Sequence, residues 1–117
     1  MKIIYEEKEY ACSFDLALDM FSGKWKVMVL WHLSHGTMRY GELRKASGKI
    51  TQKMLTQTLR ELEHHKLISR KVYPVVPPKV EYTLTDNART LIPILESLKA
   101  WGDEIVEKYG CEVSEES

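Results

Sequence analysis

Apolar residues recur with a period near 3.6 through most of this chain and switch to a period of two in one stretch. Phe14, Leu16, Ala17, Leu18, Met20 and Phe21 predict a short first helix with Ser13 as its N-cap. Gly23 interrupts it, and Trp25 to Leu33 predict a second helix, apolar nearly all round and therefore central. Gly36 ends that helix, and Thr37-Met38 is expected as a stub of strand. Tyr40, Leu43 and Ala46 give one stripe of a third short helix that stops near Gly48. A fourth helix starts at about Thr51, with Met54, Leu55, Thr58, Leu59 and Leu62 inward and Gln52, Lys53, Thr56, Gln57 and Arg60 outward.

From Leu67 the period becomes that of strands. Residues 67–73 and 79–84 flank Pro74-Val75-Val76-Pro77-Pro78, whose prolines donate no ladder hydrogen bonds and so belong to a stiff connection. Thr85 is a good N-cap for a last helix running to roughly Tyr109, with Leu91, Ile94, Leu95, Leu98, Trp101, Ile105 and Tyr109 along one side. Pro93 predicts a kink or a restart within it. The last few residues read as disordered. This order of elements is that of a winged helix-turn-helix. The expected fold class is α+β, mainly α, with a two- or three-stranded wing sheet and extra N- and C-terminal helices for dimerisation. One domain spans 1–117, its helix-turn-helix about 39–64, its wing about 67–84 and its dimerisation helix about 86–109.

The outward face of the fourth helix carries the candidate chemistry. Gln, Thr and Arg exchange hydrogen bonds with base edges and phosphates, and a major groove admits one helix. Thr51 caps the helix while its first amides point towards a phosphate. Gln52, Thr56 and Gln57 are the base-edge candidates, and Lys53 and Arg60 reach phosphates or guanine. Arg39 and Tyr40 are placed to touch the DNA backbone. Arg70, Lys71 and Lys79 flank the wing tip, whose rigidity lowers the entropy lost on binding. An amphipathic helix of a protein-interaction module fits the same pattern.

Charge alters this picture more than composition does. The formal net charge is zero, yet residues 39–82 hold ten basic and four acidic side chains, while residues 83–117 hold three basic and eight acidic. A basic middle with an acidic tail fits a DNA-facing surface on one side of the molecule. With 44% hydrophobic and 29% charged residues the chain reads as globular, and no apolar run approaches the ~20 residues of a membrane span. Acid at Glu6-Glu7 interrupts any signal-peptide core, so a cytoplasmic location and no membrane partner are expected.

One reading helix spans one half-site, and dimers read two half-sites a helical turn apart. Leu91, Leu95, Leu98, Trp101 and Ile105 are the expected dimer interface, because their apolar line is too long for so small a domain to cover. Ile3, Ile4, Tyr5 and Tyr10 also need a neighbour. The alternative is that Trp101 and its neighbours pack on their own core. Cys12 precedes the first helix, where unpaired amides stabilise a thiolate and Lys24 or Lys26 would assist. It is the candidate redox or electrophile sensor, against the alternative of a quiet, partly buried thiol. Cys111, near the end of the last helix, is a candidate partner for Cys12 of either subunit, and the sequence does not place the two together. His32 and His35, and the adjacent His64 and His65, lack further ligands nearby in sequence, so no metal and no cofactor are expected. His64 and His65 favour a helix C-terminus. No nucleophile motif, phosphate loop or paired carboxylates appear, so the chain is not expected to be an enzyme.

The same residues resemble the HxlR family of bacterial winged helix-turn-helix regulators. The matching stretches are Cys12, Gly23-Lys24-Trp25-Lys26 to Leu30-Trp31-His32-Leu33, Arg39-Tyr40-Gly41-Glu42-Leu43, residues 50–63, residues 72–82 and Leu84-Thr85. The resemblance covers about residues 10 to 105. It implies a homodimeric DNA-binding transcription factor, and a cysteine near the N-terminus that in some members answers aldehydes, quinones or disulfide stress. The family often has Cys-Pro where this chain has Cys12-Ser13. Asn87-Ala88 departs from the glycine that commonly follows the Thr, which predicts a local helix change there. The resulting expectation is a homodimer on an inverted-repeat operator in double-stranded DNA, with a small electrophile or oxidant acting at Cys12. The alternative is a winged-helix protein-interaction module without DNA binding.

Overall fold

The computed structural model describes residues 2–112 and 114. The disordered tail expected over the last few residues falls on 113 and 115–117, outside the described residues. The chain opens with a hairpin, β1 (Ile3–Tyr5) and β2 (Lys8–Tyr10), then two helices, α1 (Ser13–Phe21) and α2 (Lys24–Leu33). A short strand β3 (Met38–Arg39) leads into α3 (Tyr40–Ala46) and α4 (Gln52–His64). The wing strands β4 (Ile68–Tyr73) and β5 (Lys79–Leu84) follow, then α5 (Asp86–Arg89) and α6 (Ile92–Lys108).

α2 is the central helix. Its Val29, Leu30 and Leu33 pack with Leu43 of α3, Leu55, Leu59 and Leu62 of α4, and Ile68, Tyr82 and Leu84 of the wing. Burying each such leucine contributes about 1.5–3 kcal/mol, so the core fixes α4 against α2 and the sheet. The sheet has the antiparallel order β3-β5-β4, with Met38 opposite Tyr82 and Arg70 also opposite Tyr82. Gly23, at φ +112, occupies the break between α1 and α2, a backbone conformation side-chain-bearing residues rarely adopt.

Two expectations need correction. Ser13 is the first helical residue of α1, and the N-cap is Cys12. Met54 is 45% exposed, because the buried stripe of α4 is Leu55, Thr58, Leu59 and Leu62. Of the kink or restart expected at Pro93, the structure has the restart: Thr85 caps α5, accepting from Ala88 N at 3.2 Å, and the chain begins again as α6 with Pro93 in its first turn. There the missing proline N–H has no carbonyl to lose. The N-terminal hairpin is an addition, since Ile3 to Tyr10 pair with each other through a turn at Glu6 and Glu7, both at positive φ. The buried Tyr10 anchors it to α1, its hydroxyl donating to Asp19 Oδ2 at 2.6 Å.

Candidate nucleic-acid interface

Thr51 begins the polar face of α4, its Oγ1 accepting from Met54 N at 3.1 Å and satisfying one of the free amides of the first turn. The Tyr40 hydroxyl donates to the Gln52 carbonyl oxygen at 3.1 Å and stands 3.3 Å from Thr56 Oγ1, fastening α3 across the start of α4. Glu42 accepts from Arg39 N at 2.9 Å and fixes the entry to α3. From α2, Lys26 reaches Glu61 at 3.3 Å, and Gln57 donates to the same carboxylate at 3.2 Å. The polar face of α4 is thus held from both sides by groups that leave its outermost positions in water.

A cleft of about 480 Å³ runs between α4 and the wing, lined by Tyr40, Gln52, Thr56, Arg60, Arg70 and Tyr82 among others. A second hollow of about 540 Å³ shares Gln52, Thr56 and Arg60 and adds Lys53 and Gln57. Seven of the eleven expected contact residues therefore meet on one surface, with Thr51 at its edge. Among the described residues Lys53, Arg60 and Arg70 have no carboxylate within ion-pair distance, and the one acidic residue lining the cleft with Arg60 and Arg70 is Glu63. Leu59, Glu63 and Tyr82 also line the cleft and were not among the expected contacts, Tyr82 being the one contributed by the wing. Its alternating place beside Arg70 in the wing was the available signal.

The strand register separates the wing cations. Arg70 pairs with Tyr82, on the face that lines the cleft. Lys71 and Arg39 both pair with Glu81, and Lys79 pairs with Tyr73, which places these three on the other face. There Lys71 and Lys79 lie over the Tyr73 ring at 4.8 and 4.6 Å, and Lys79 is 3.5 Å from Glu81. The Tyr73 hydroxyl donates to Glu81 at 2.8 Å, and this bond, with Lys79 beside it, holds the Glu81 carboxyl below its ordinary range. Val75 and Val76 at the tip are exposed.

The expected dimer residues fall into two sets. Leu95 is buried in the core of the single chain, a correction that follows from the contact of α6 with α2, and Leu91, just before α6, packs half-buried against that core. Leu98 and Trp101 are exposed and Ile105 is half-buried, with Ile94 and Tyr109 also open. An apolar hollow of about 310 Å³ lies between Trp31 of α2 and Leu98 of α6. On α1, Phe14 is 70% exposed.

Cys12 and Cys111 are both free and exposed. The two lysines expected near Cys12 make contacts of their own: Lys26 with Glu61 and the Asp19 carbonyl, and Lys24 4.7 Å over the Trp25 ring. Burial, then the nearby His35, pushes the His32 imidazole below its ordinary pKa, and its Nε2 is buried without a partner. His64, in the last turn of α4, lies 2.6 Å from Glu6 of the hairpin turn, a bond that lowers the Glu6 carboxyl.

The family described as HxlR-like helix-turn-helix matches residues 20–109. An uncharacterized HTH-type transcriptional regulator of Methanothermobacter thermautotrophicus is 51% identical over 96 residues, covering 82% of this chain and 73% of the relative. The uncharacterized HTH-type transcriptional regulator YtcD of Bacillus subtilis is 49% identical over 106 residues, covering 90% of this chain and 84% of its own. Among solved structures, the redox regulator HypR in its oxidized form superposes with a TM-score of 0.76 at 46% identity, covering 80% of this chain and 96% of HypR.

Proposed function

The chain belongs to the HxlR-like helix-turn-helix family of transcriptional regulators, and on that premise we propose that it acts as a homodimer reading an inverted-repeat operator in double-stranded DNA through α4. The observation that carries this reading is the surface of α4 and the wing, where Gln52, Thr56 and Gln57 stand beside three cations without carboxylate partners. Amides and hydroxyls supply base-edge bonds, and Lys53, Arg60 and Arg70 supply phosphate contacts. Arg39, Lys71 and Lys79, on the other wing face, meet the backbone beyond the half-site. The exposed apolar line of α6, with Phe14 of α1, is the dimer surface. Selecting bound sequences from random double-stranded DNA tests this reading. Recovery of an inverted repeat with half-sites about one turn apart supports it, and recovery of no common sequence at low salt contradicts it.

A second part of the proposal is control through Cys12. It is supported by the exposed thiol at the N-cap of α1, beside the apolar Phe14, and by the similarity to the redox regulator HypR. A thiol-specific oxidant is expected to change operator affinity of the parent protein and not of Cys12→Ser. Equal responses in both would contradict it.

A further inference from the structure

The fold brings Glu6, His64 and His65 together from positions 58 residues apart, and no base or phosphate contact is needed to account for them. Their ligand atoms all lie within 4.8 Å of one another. Glu6 sits in the hairpin turn at φ +49, and His64 and His65 end α4 just before Lys66 turns the chain at φ +59. The two imidazoles stand edge to face with centroids 5.1 Å apart. His65 Nδ1 is buried and without a hydrogen-bond partner. A buried unpaired ring nitrogen costs stability unless a ligand satisfies it. The C-terminal end of α4 also carries the negative pole of its dipole, which favours a cation there.

We infer that Glu6, His64 and His65 form a site for one divalent cation of the zinc class, which clips the N-terminal hairpin to the end of the reading helix. Two imidazoles and one carboxylate are a donor set that tetrahedral Zn²⁺ accepts, with water in the fourth position. Oxygen-preferring Mg²⁺ and Ca²⁺ do not suit a site with two nitrogen donors. Bonds near 2.1 Å place tetrahedral ligand atoms about 3.4 Å apart. The present Glu6–His64 contact therefore opens by about 0.8 Å and the widest separation closes by at most about 1.4 Å, which rotation of the exposed Glu6 and His64 side chains supplies. The ion replaces the Glu6–His64 bond as the tie between hairpin and helix.

The test is zinc titration of the full chain carrying Cys12→Ser and Cys111→Ser, so that thiolates contribute nothing. The expected result is one equivalent bound at micromolar or lower concentration, weakened at least tenfold by Glu6→Gln and by His64→Gln. Zinc should raise the thermal midpoint of the parent and leave that of Glu6→Gln in place. Cobalt should give the parent the intense visible absorption of a tetrahedral ion. Glu6 is exposed in a turn, so Glu6→Gln keeps the fold, which its circular dichroism checks. Absence of stoichiometric binding, binding undiminished in Glu6→Gln, or binding that requires the cysteines would each overturn the inference.

Discussion

Arg70 and Lys79 are both wing cations, yet their surroundings give them different expected weights. Arg70 faces the α4 cleft without a carboxylate partner, whereas Lys79 is paired with Glu81 and rests on Tyr73. Arg70→Ala is expected to weaken all DNA similarly and to lower the slope of log affinity against log salt by about 0.9. Salt titrations of binding check this, and Lys79→Ala should change the slope less. The bond between Tyr10 and Asp19 makes the attachment of the hairpin to α1 sensitive to pH. Accepting from Tyr10 holds the Asp19 carboxyl below its ordinary value of 3.8, while donating to Asp19 pushes the Tyr10 phenol up from 10.0 to about 12. The acid contributes stability that is complete above its ordinary value and lost as pH falls through the lowered one. The phenol contributes stability that is present below 10.0 and lost as pH rises towards about 12. In thermal melts across pH, Tyr10→Phe should therefore flatten the alkaline decline. An unchanged decline would show that the hydroxyl does not couple the hairpin to α1.

At the scale of elements, α4 depends on its cap and its buried stripe. Thr51→Ala removes the acceptor for Met54 N and is expected to cost about 1 kcal/mol of stability. Leu55→Ala opens a cavity where exposure is now 0%, at about 2–5 kcal/mol. Chemical denaturation measures both, and the smaller loss should belong to Thr51→Ala. Periodicity revealed α2, α3, α4 and the wing, because each buries a regular stripe against the same core. It did not reveal the β1–β2 hairpin, since Glu6-Glu7 carries none of the Asn-Gly or Asp-Gly chemistry that marks a two-residue turn at positive φ. Met54 misled because it lies one position from the buried Leu55, at the rim of the stripe. Pro93 signalled a restart, but where α5 would stop depended on the docking of Thr85, whose hydroxyl donates to the Lys66 carbonyl at 2.7 Å. That contact joins segments nineteen residues apart, which no local pattern displays. The α4 residues of the candidate site were legible for the same reason as the helix, whereas the division of wing cations by Glu81 depended on strand register.

The whole molecule is more extended than its length requires. Its radius of gyration is 16.2 Å, against about 13 Å for a compact domain of this size. α6 runs 17 residues with only Leu95 fully buried, and Leu98 and Trp101 stand open beside it. Covering that face with a second copy would compact the assembly and set two α4 helices in a fixed relation. Trp101→Glu is expected to shift the protein towards monomer in sedimentation and to reduce operator affinity at least tenfold, with single-chain folding retained. A monomer that binds operator as tightly as the parent would separate α6 from DNA reading.

Base-edge reading by α4 is tested by a mobility-shift titration of parent and Gln52→Ala on the selected inverted repeat and on a scrambled sequence. The parent is expected to prefer the repeat by about 10³-fold or more at physiological salt. Gln52→Ala should lose about five- to 150-fold on the repeat, the equivalent of about 1–3 kcal/mol, with its affinity for scrambled DNA unchanged. Equal affinity of the parent for both sequences, or an equal loss on both in Gln52→Ala, would contradict the account.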